Sequence, residues 1–110
     1  MQPKKPGTRV RGSTTGRPIM VLFDVLGQRW TLRILWELRH GRLNFRDLRA
    51  QCDDISPTVL NARLKTLREL ALIDHQDGGY AYTSAGAELS NKLAGFDQWA
   101  ENWAKSLDLS

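Results

Sequence analysis

The stretch from Asn44 to Glu69 constrains the fold of this chain more than any other. Asn44 is a good helix cap, and Asp47 three positions later completes an approximate capping box. Phe45, Leu48 and Cys52 then fall at i, i+3 and i+7, on one stripe of a short helix. Asp53-Asp54-Ile55 interrupts it. Ser56 and Pro57 start a second helix, with serine at the N-cap and proline at the first helical position. Leu60, Leu64, Leu67 and Ala71 make the buried stripe of this helix, which spans about residues 56–70. The opposite side presents Thr58, Asn61, Ala62, Lys65 and Glu69, with Arg68 at its margin. Two short helices joined by a tight turn, the second with a polar and basic outer face, make a helix-turn-helix.

The flanking segments say what this unit is built into. From Ile19 to Leu26 every residue but Asp24 is apolar. A short helix hydrophobic all round must be covered on more than one side, so part of the cover is expected from a second subunit. A further helix is predicted from about Arg29 to Arg39, with Trp30, Ile34, Leu35 and Leu38 on one stripe and His40-Gly41 as its end. After the helix-turn-helix, Leu72 to Gln76 and Tyr80 to Thr83 read as strands around the hairpin signal Asp77-Gly78-Gly79. A hairpin in that place is a wing. Thr83 or Ser84 then starts the last helix, whose Leu89, Leu93, Phe96, Ala100, Trp103 and Leu107 form a coiled-coil-like seam flanked by Trp99. The expected fold is mainly α with a small β-hairpin wing (α+β), a winged helix-turn-helix with N- and C-terminal dimerisation helices.

Charge points to the partner. The 110 residues carry a net charge of +4, divided unevenly. Residues 1–18 hold five basic groups and no acid and lack hydrophobic periodicity, so they read as a flexible basic N-terminal arm or a solubilising tail. Residues 29–68 hold nine basic groups against four acids, whereas residues 69–110 hold two against seven. A positive middle beside a negative end fits one anionic partner approaching one face. Length allows one domain, placed at residues 19–110.

Other classes are disfavoured. No apolar run is long enough for a membrane span and no signal-peptide pattern follows the basic start, so a cytoplasmic protein is expected. Cys52 is the single cysteine and lies on a buried stripe, which suits a core thiol. His40 and His75 sit at element ends, and no phosphate loop, metal cluster, cofactor motif or catalytic triad appears, so no enzyme, cofactor or metal site is expected.

Taken in order, these pieces resemble the HxlR-type branch of the MarR-like winged-helix regulators. Asp24-Val-Leu-Gly-Gln-Arg-Trp30-Thr-Leu-Arg-Ile-Leu35 is similar to that family's D-x-[LI]-G-G-K-W-T-x-x-I-L opening. Gly41 to Leu48 resembles G-x-x-R-F-x-E-L, and Ile55-Ser56, Leu60, Arg63-Leu64 and Leu67 resemble its recognition segment. Tyr80-Ala-Tyr-Thr83-Ser-Ala-Gly86 is similar to Y-x-L-T-x-x-G, and Trp99 falls at the tryptophan of the last helix. Two departures matter. Where the family usually has a cysteine before the first helix's proline, this chain has Arg17 before Pro18. Its wing is short, and the tip Gln76-Asp77-Gly78-Gly79 carries no basic residue, so minor-groove contact is left to the basic arm.

The expected function is sequence-specific binding of double-stranded DNA by a homodimeric transcriptional regulator. The second helix of the motif would lie in the major groove. Thr58 would meet a base, a phosphate or a thymine methyl, Asn61 adenine, Ala62 a thymine methyl, and Lys65 guanine or phosphate. Ser56, at the start of that helix, is also expected to contact DNA, and Arg46, Arg49 and Arg68 would hold the backbone. Arg63 faces the buried side and is expected to make a structural contact. The dimer interface is expected from Ile19, Leu22 and Phe23 together with Leu89, Leu93, Phe96, Trp99, Ala100, Trp103 and Leu107, spacing two motifs on a pseudo-palindromic operator. Phe96, Trp99 and Trp103 would pack there or line a small-molecule effector pocket of unknown ligand. The alternative function is a winged-helix protein-interaction module.

Overall fold

The computed structural model describes residues 17–107, so the basic arm lies outside the described residues apart from its last two positions. The order is α1 (Pro18–Leu26), α2 (Thr31–Glu37), α3 (Phe45–Gln51), α4 (Pro57–Glu69), β1 (Ile73–Gln76), β2 (Gly79–Tyr82) and α5 (Ser84–Ser106). No described helix is long and apolar enough to cross a membrane.

The starts of the helices follow from their capping residues. Asn44 Oδ1 accepts from the Asp47 amide at 2.7 Å, Ser56 Oγ from Val59 at 3.4 Å, and Thr83 Oγ1 from Gly86 at 3.1 Å. Pro18 and Pro57 occupy first-turn positions, where no amide hydrogen is needed.

The ends were harder to read. Helix α4 stops at Glu69, and Ala71 is exposed with φ 58°, so it does not extend the buried stripe as expected. The Ala71 amide donates to the Arg68 carbonyl at 2.9 Å and the Leu72 amide to the Leu67 carbonyl at 3.0 Å. This is a Schellman motif, with alanine where glycine is usual. Asp53, φ 58°, follows α3 in the same way, and the Asp54 amide reaches back to Arg49 at 3.0 Å. Helix α2 is also shorter than expected. Trp30 precedes it in the left-handed region at φ 78°, and Leu38 closes it.

One core serves the whole unit. Val25, Ile34, Leu35, Leu38, Leu48, Cys52, Ile55, Leu60, Leu64, Leu67, Ile73 and Tyr80 pack together, drawing on all elements except α5, whose Leu89 packs against the cluster from its edge. The strands pair antiparallel, Ile73 with Tyr82 through Gln76 with Gly79, around the two-residue turn Asp77-Gly78. Sequence reading missed a third edge to this sheet. Leu43 exchanges backbone hydrogen bonds with Tyr80, at 3.0 and 2.7 Å, which ties the α2–α3 connection to the wing. A Cβ at Gly79 would lie 2.0 Å from the Leu43 carbonyl oxygen, so only glycine fits. Gly86 is likewise required, since a Cβ there would meet the Leu72 carbonyl oxygen at 1.9 Å.

Candidate nucleic-acid interface

Helix α4 is divided sharply between its two faces. Leu60, Leu64 and Leu67 are buried, whereas Thr58, Asn61, Ala62, Lys65, Arg68 and Glu69 are exposed. Ser56, also exposed, is the N-cap. The structure thus brings six of the eight expected contact residues onto one helix and its cap. Lys65 Nζ stands 3.9 Å from Glu69 Oε1, an exposed pair that water and salt readily open. Among the described residues Arg68 makes no ion pair or hydrogen bond, and neither does Arg46, exposed on α3. Both guanidinium groups are available to an anion.

Arg49 is placed differently. Its Nε donates to the Ile55 carbonyl at 2.7 Å and its Nη2 to the Asp54 carbonyl at 3.4 Å. The side chain closes the turn between α3 and α4, where two left-handed aspartates leave carbonyls without helical partners. A second arginine secures the same turn from α2. Arg33 donates to Glu37 Oε2 at 2.7 Å, to Asp53 Oδ2 at 3.1 Å and to the Gln51 carbonyl at 2.6 Å. The Glu37 hydrogen bond is the leading reason that its proton is held even more tightly than in a free guanidinium. Arg63 is structural, as its buried-side position implied: Nε donates to the Arg29 carbonyl at 2.8 Å, beside the left-handed Trp30.

Cys52 is fully buried under this turn, and burial pushes its thiol pKa up. A thiol so placed stays protonated and unreactive.

The wing is braced from the α2–α3 connection. Arg42 Nη1 donates to Asp74 Oδ1 at 2.6 Å and to the Gly79 carbonyl at 2.7 Å. Sequence reading gave Arg42 no role and read His75 only as an element-end residue, whereas its ring stacks on Tyr80. Register arithmetic across a two-residue turn would have placed His75 opposite Tyr80.

The expected interface helices leave much apolar surface uncovered. On α1, Val21 and Val25 face the core, Leu22 is half-buried, and Ile19 and Phe23 are exposed. On α5, Leu89 packs on the domain's own core and Leu93 is half-buried. Beyond them Phe96, Trp99, Trp103 and Leu107 are 67, 62, 50 and 50% exposed, and Ala100 is exposed between them. Trp99 and Trp103 stack with ring centroids 5.7 Å apart, so Trp99 shares the face it was expected to flank. Between α2 and α5 runs a groove of about 710 Å³, lined by Leu32, Trp36, Leu93 and Phe96 with Arg33, Arg39, His40 and Asp97 at its polar edge.

Comparison with known proteins agrees with this geometry. The sequence model of the HxlR-like helix-turn-helix family matches residues 25–108. An uncharacterised HTH-type transcriptional regulator of Bacillus subtilis, YvaP, is 31% identical over 88 residues, 73% of this chain and 81% of that protein. A second, from Mycobacterium tuberculosis, is 31% identical over 102 residues, 86% of this chain but 61% of the longer relative. Among solved structures, quinone-bound YodB from B. subtilis aligns with TM-score 0.70 and 27% identity over 76% of this chain and 96% of its own. A protein of Thermoplasma volcanium described as a possible HxlR family transcriptional factor aligns with TM-score 0.69 and 30% identity, covering 76% and 82% of the two chains.

Proposed function

Because this chain belongs to the HxlR-like helix-turn-helix family, it is a DNA-binding transcriptional regulator, and we propose that it reads a pseudo-palindromic operator as a homodimer. The observation that carries this reading is the two-sidedness of α4, with a leucine stripe in the core and Thr58, Asn61, Ala62, Lys65 and Arg68 all exposed outward. A helix of this size fits the major groove, where base edges present distinguishable donors and acceptors. Asn61 suits a base edge, Lys65 a guanine edge or a phosphate, Thr58 and Ala62 a thymine methyl, and Ser56, Arg46 and Arg68 the backbone. Arg49 acts on DNA through the turn that it closes.

The dimer is argued from the wet apolar surface. A monomer would leave Ile19, Phe23, Phe96, Trp99, Trp103 and Leu107 in water, and exposed patches of this kind mark interfaces. Burying each such side chain is worth about 1.5–3 kcal/mol, enough in sum to offset the cost of association. Leu22 and Leu93 are half-buried beside this surface, Ala100 is exposed within it, and Leu89 serves the domain core instead. The pairing would set two copies of α4 about one helical turn of DNA apart. The relative YodB was solved with a quinone bound. In this chain we place a small-molecule effector, with the regulator in the cytoplasm, in the groove between α2 and α5.

The test is the salt dependence of binding to a duplex recovered by selection from a random pool. A dimer touching six or more phosphates should lose about 10³-fold in affinity between about 50 and 200 mM salt. Binding indifferent to salt, or recovery of no duplex at all, would overturn the reading.

A further inference from the structure

The inner face of the wing continues beyond the core. Alternation along β1 puts Ile73 and His75 on one face, and Ile73 is buried while His75 is exposed. His75 lies opposite Tyr80, with ring centroids 4.1 Å apart and planes at 11°, so a buried tyrosine holds the imidazole flat. The ring borders a cleft of about 730 Å³ between the wing and α4, lined also by Asn61, Lys65, Arg68, Glu69 and Asp74.

The charges around that cleft do not cancel. Asp74 is answered by Arg42 at 2.6 Å and Glu69 by Lys65 at 3.9 Å. Counting Arg42, which reaches Asp74 from outside the lining, three cations face two carboxylates, and Arg68 is the one with no partner among the described residues. The tip Gln76-Asp77-Gly78-Gly79 has no cation to offer. Attraction for an anion therefore lies at the root of the wing, beside the outer face of α4.

We propose that this cleft seats one DNA backbone phosphate, held by Lys65 and Arg68 from α4 and by protonated His75 from β1, and that DNA binding therefore tightens as pH falls through neutrality. The proposal rests on α4 being the DNA-reading helix, and it adds a contact and a pH response that this reading does not require. The sign follows from linkage. An imidazole changes charge between about pH 5 and 8, and a neighbouring phosphate favours its charged form. The complex then takes up a proton that the free protein lacks at high pH, so affinity is lowest there. Linkage bounds the effect: a proton taken up on binding makes DNA affinity rise as pH falls by at most about tenfold per pH unit per subunit.

The test uses the full chain and a selected duplex carrying a pH-insensitive dye, with anisotropy followed at constant ionic strength. Wild type should show the rise, His75→Gln should lose it, and His75→Lys should bind at high pH as tightly as wild type does at low pH. His40→Gln should keep the rise, because His40 borders the other groove. Far-UV circular dichroism establishes that each variant is folded. A pH-independent wild type, or a folded His75→Gln protein that keeps the full rise, would overturn the phosphate seat and leave the DNA reading standing. Recovery of no duplex at any pH would overturn both.

Discussion

Arg49 Nε donates to the carbonyl oxygen of Ile55 at 2.7 Å, across the turn that orients α4 against α3. Charge-assisted hydrogen bonds of this kind are worth about 1.5–3 kcal/mol when protected, and less for a group that water also reaches. Arg49→Ala should therefore lower the unfolding free energy by about 1–2 kcal/mol in urea titrations. It should weaken binding to every duplex by loosening the turn. A variant as stable as wild type would show that the turn holds without it.

Asn61 and Arg46 should separate reading from holding. Asn61→Ala is expected to cost about 1–3 kcal/mol on the preferred duplex and to blur its sequence preference. Arg46→Ala should weaken all duplexes alike and flatten the salt dependence, because a phosphate contact carries no sequence information. Selection repeated with each variant measures the difference. An unchanged preference in Asn61→Ala would mean that another face of α4 meets the bases.

Trp103 stacks on Trp99 within the exposed face of α5 and is the best anchor for a partner subunit. Trp103→Glu should sediment as a monomer at micromolar concentration, while wild type sediments well above its 12.5 kDa chain mass. Because Trp103 is half exposed, the variant should keep its helical circular dichroism. A dimeric Trp103→Glu protein would place the interface elsewhere.

Cys52 should be silent to oxidants. It is fully buried, and burial raises its thiol pKa, so little thiolate forms at neutral pH. Mild peroxide or diamide should leave DNA affinity unchanged. Reversible loss of binding that Cys52→Ser prevents would contradict this.

How much of this was legible beforehand depends on how local each feature is. The leucines of α4 and the residues opposite them are related by the period of one helix, and Asn44, Ser56 and Thr83 cap within three residues of themselves. Such features need no knowledge of the rest of the chain. Ala71 was misread because its helical period continued unbroken, while the hydrogen bonds of the Schellman motif ended the helix two residues sooner, at Glu69.

The sequence alone therefore determined the element order, the buried and exposed faces of α4 and the family resemblance, since periodicity and capping are properties of neighbours along the chain. Tertiary structure decided the rest. Leu43 meets Tyr80 across 37 positions, Arg33 reaches Asp53 across 20, and His75 borders the cleft under α4, none of which any local period encodes. Arg49 shows the limit most clearly. Its residue type and position suited a phosphate, and no local period showed that a turn with two left-handed aspartates leaves nearby carbonyls to which the guanidinium also donates.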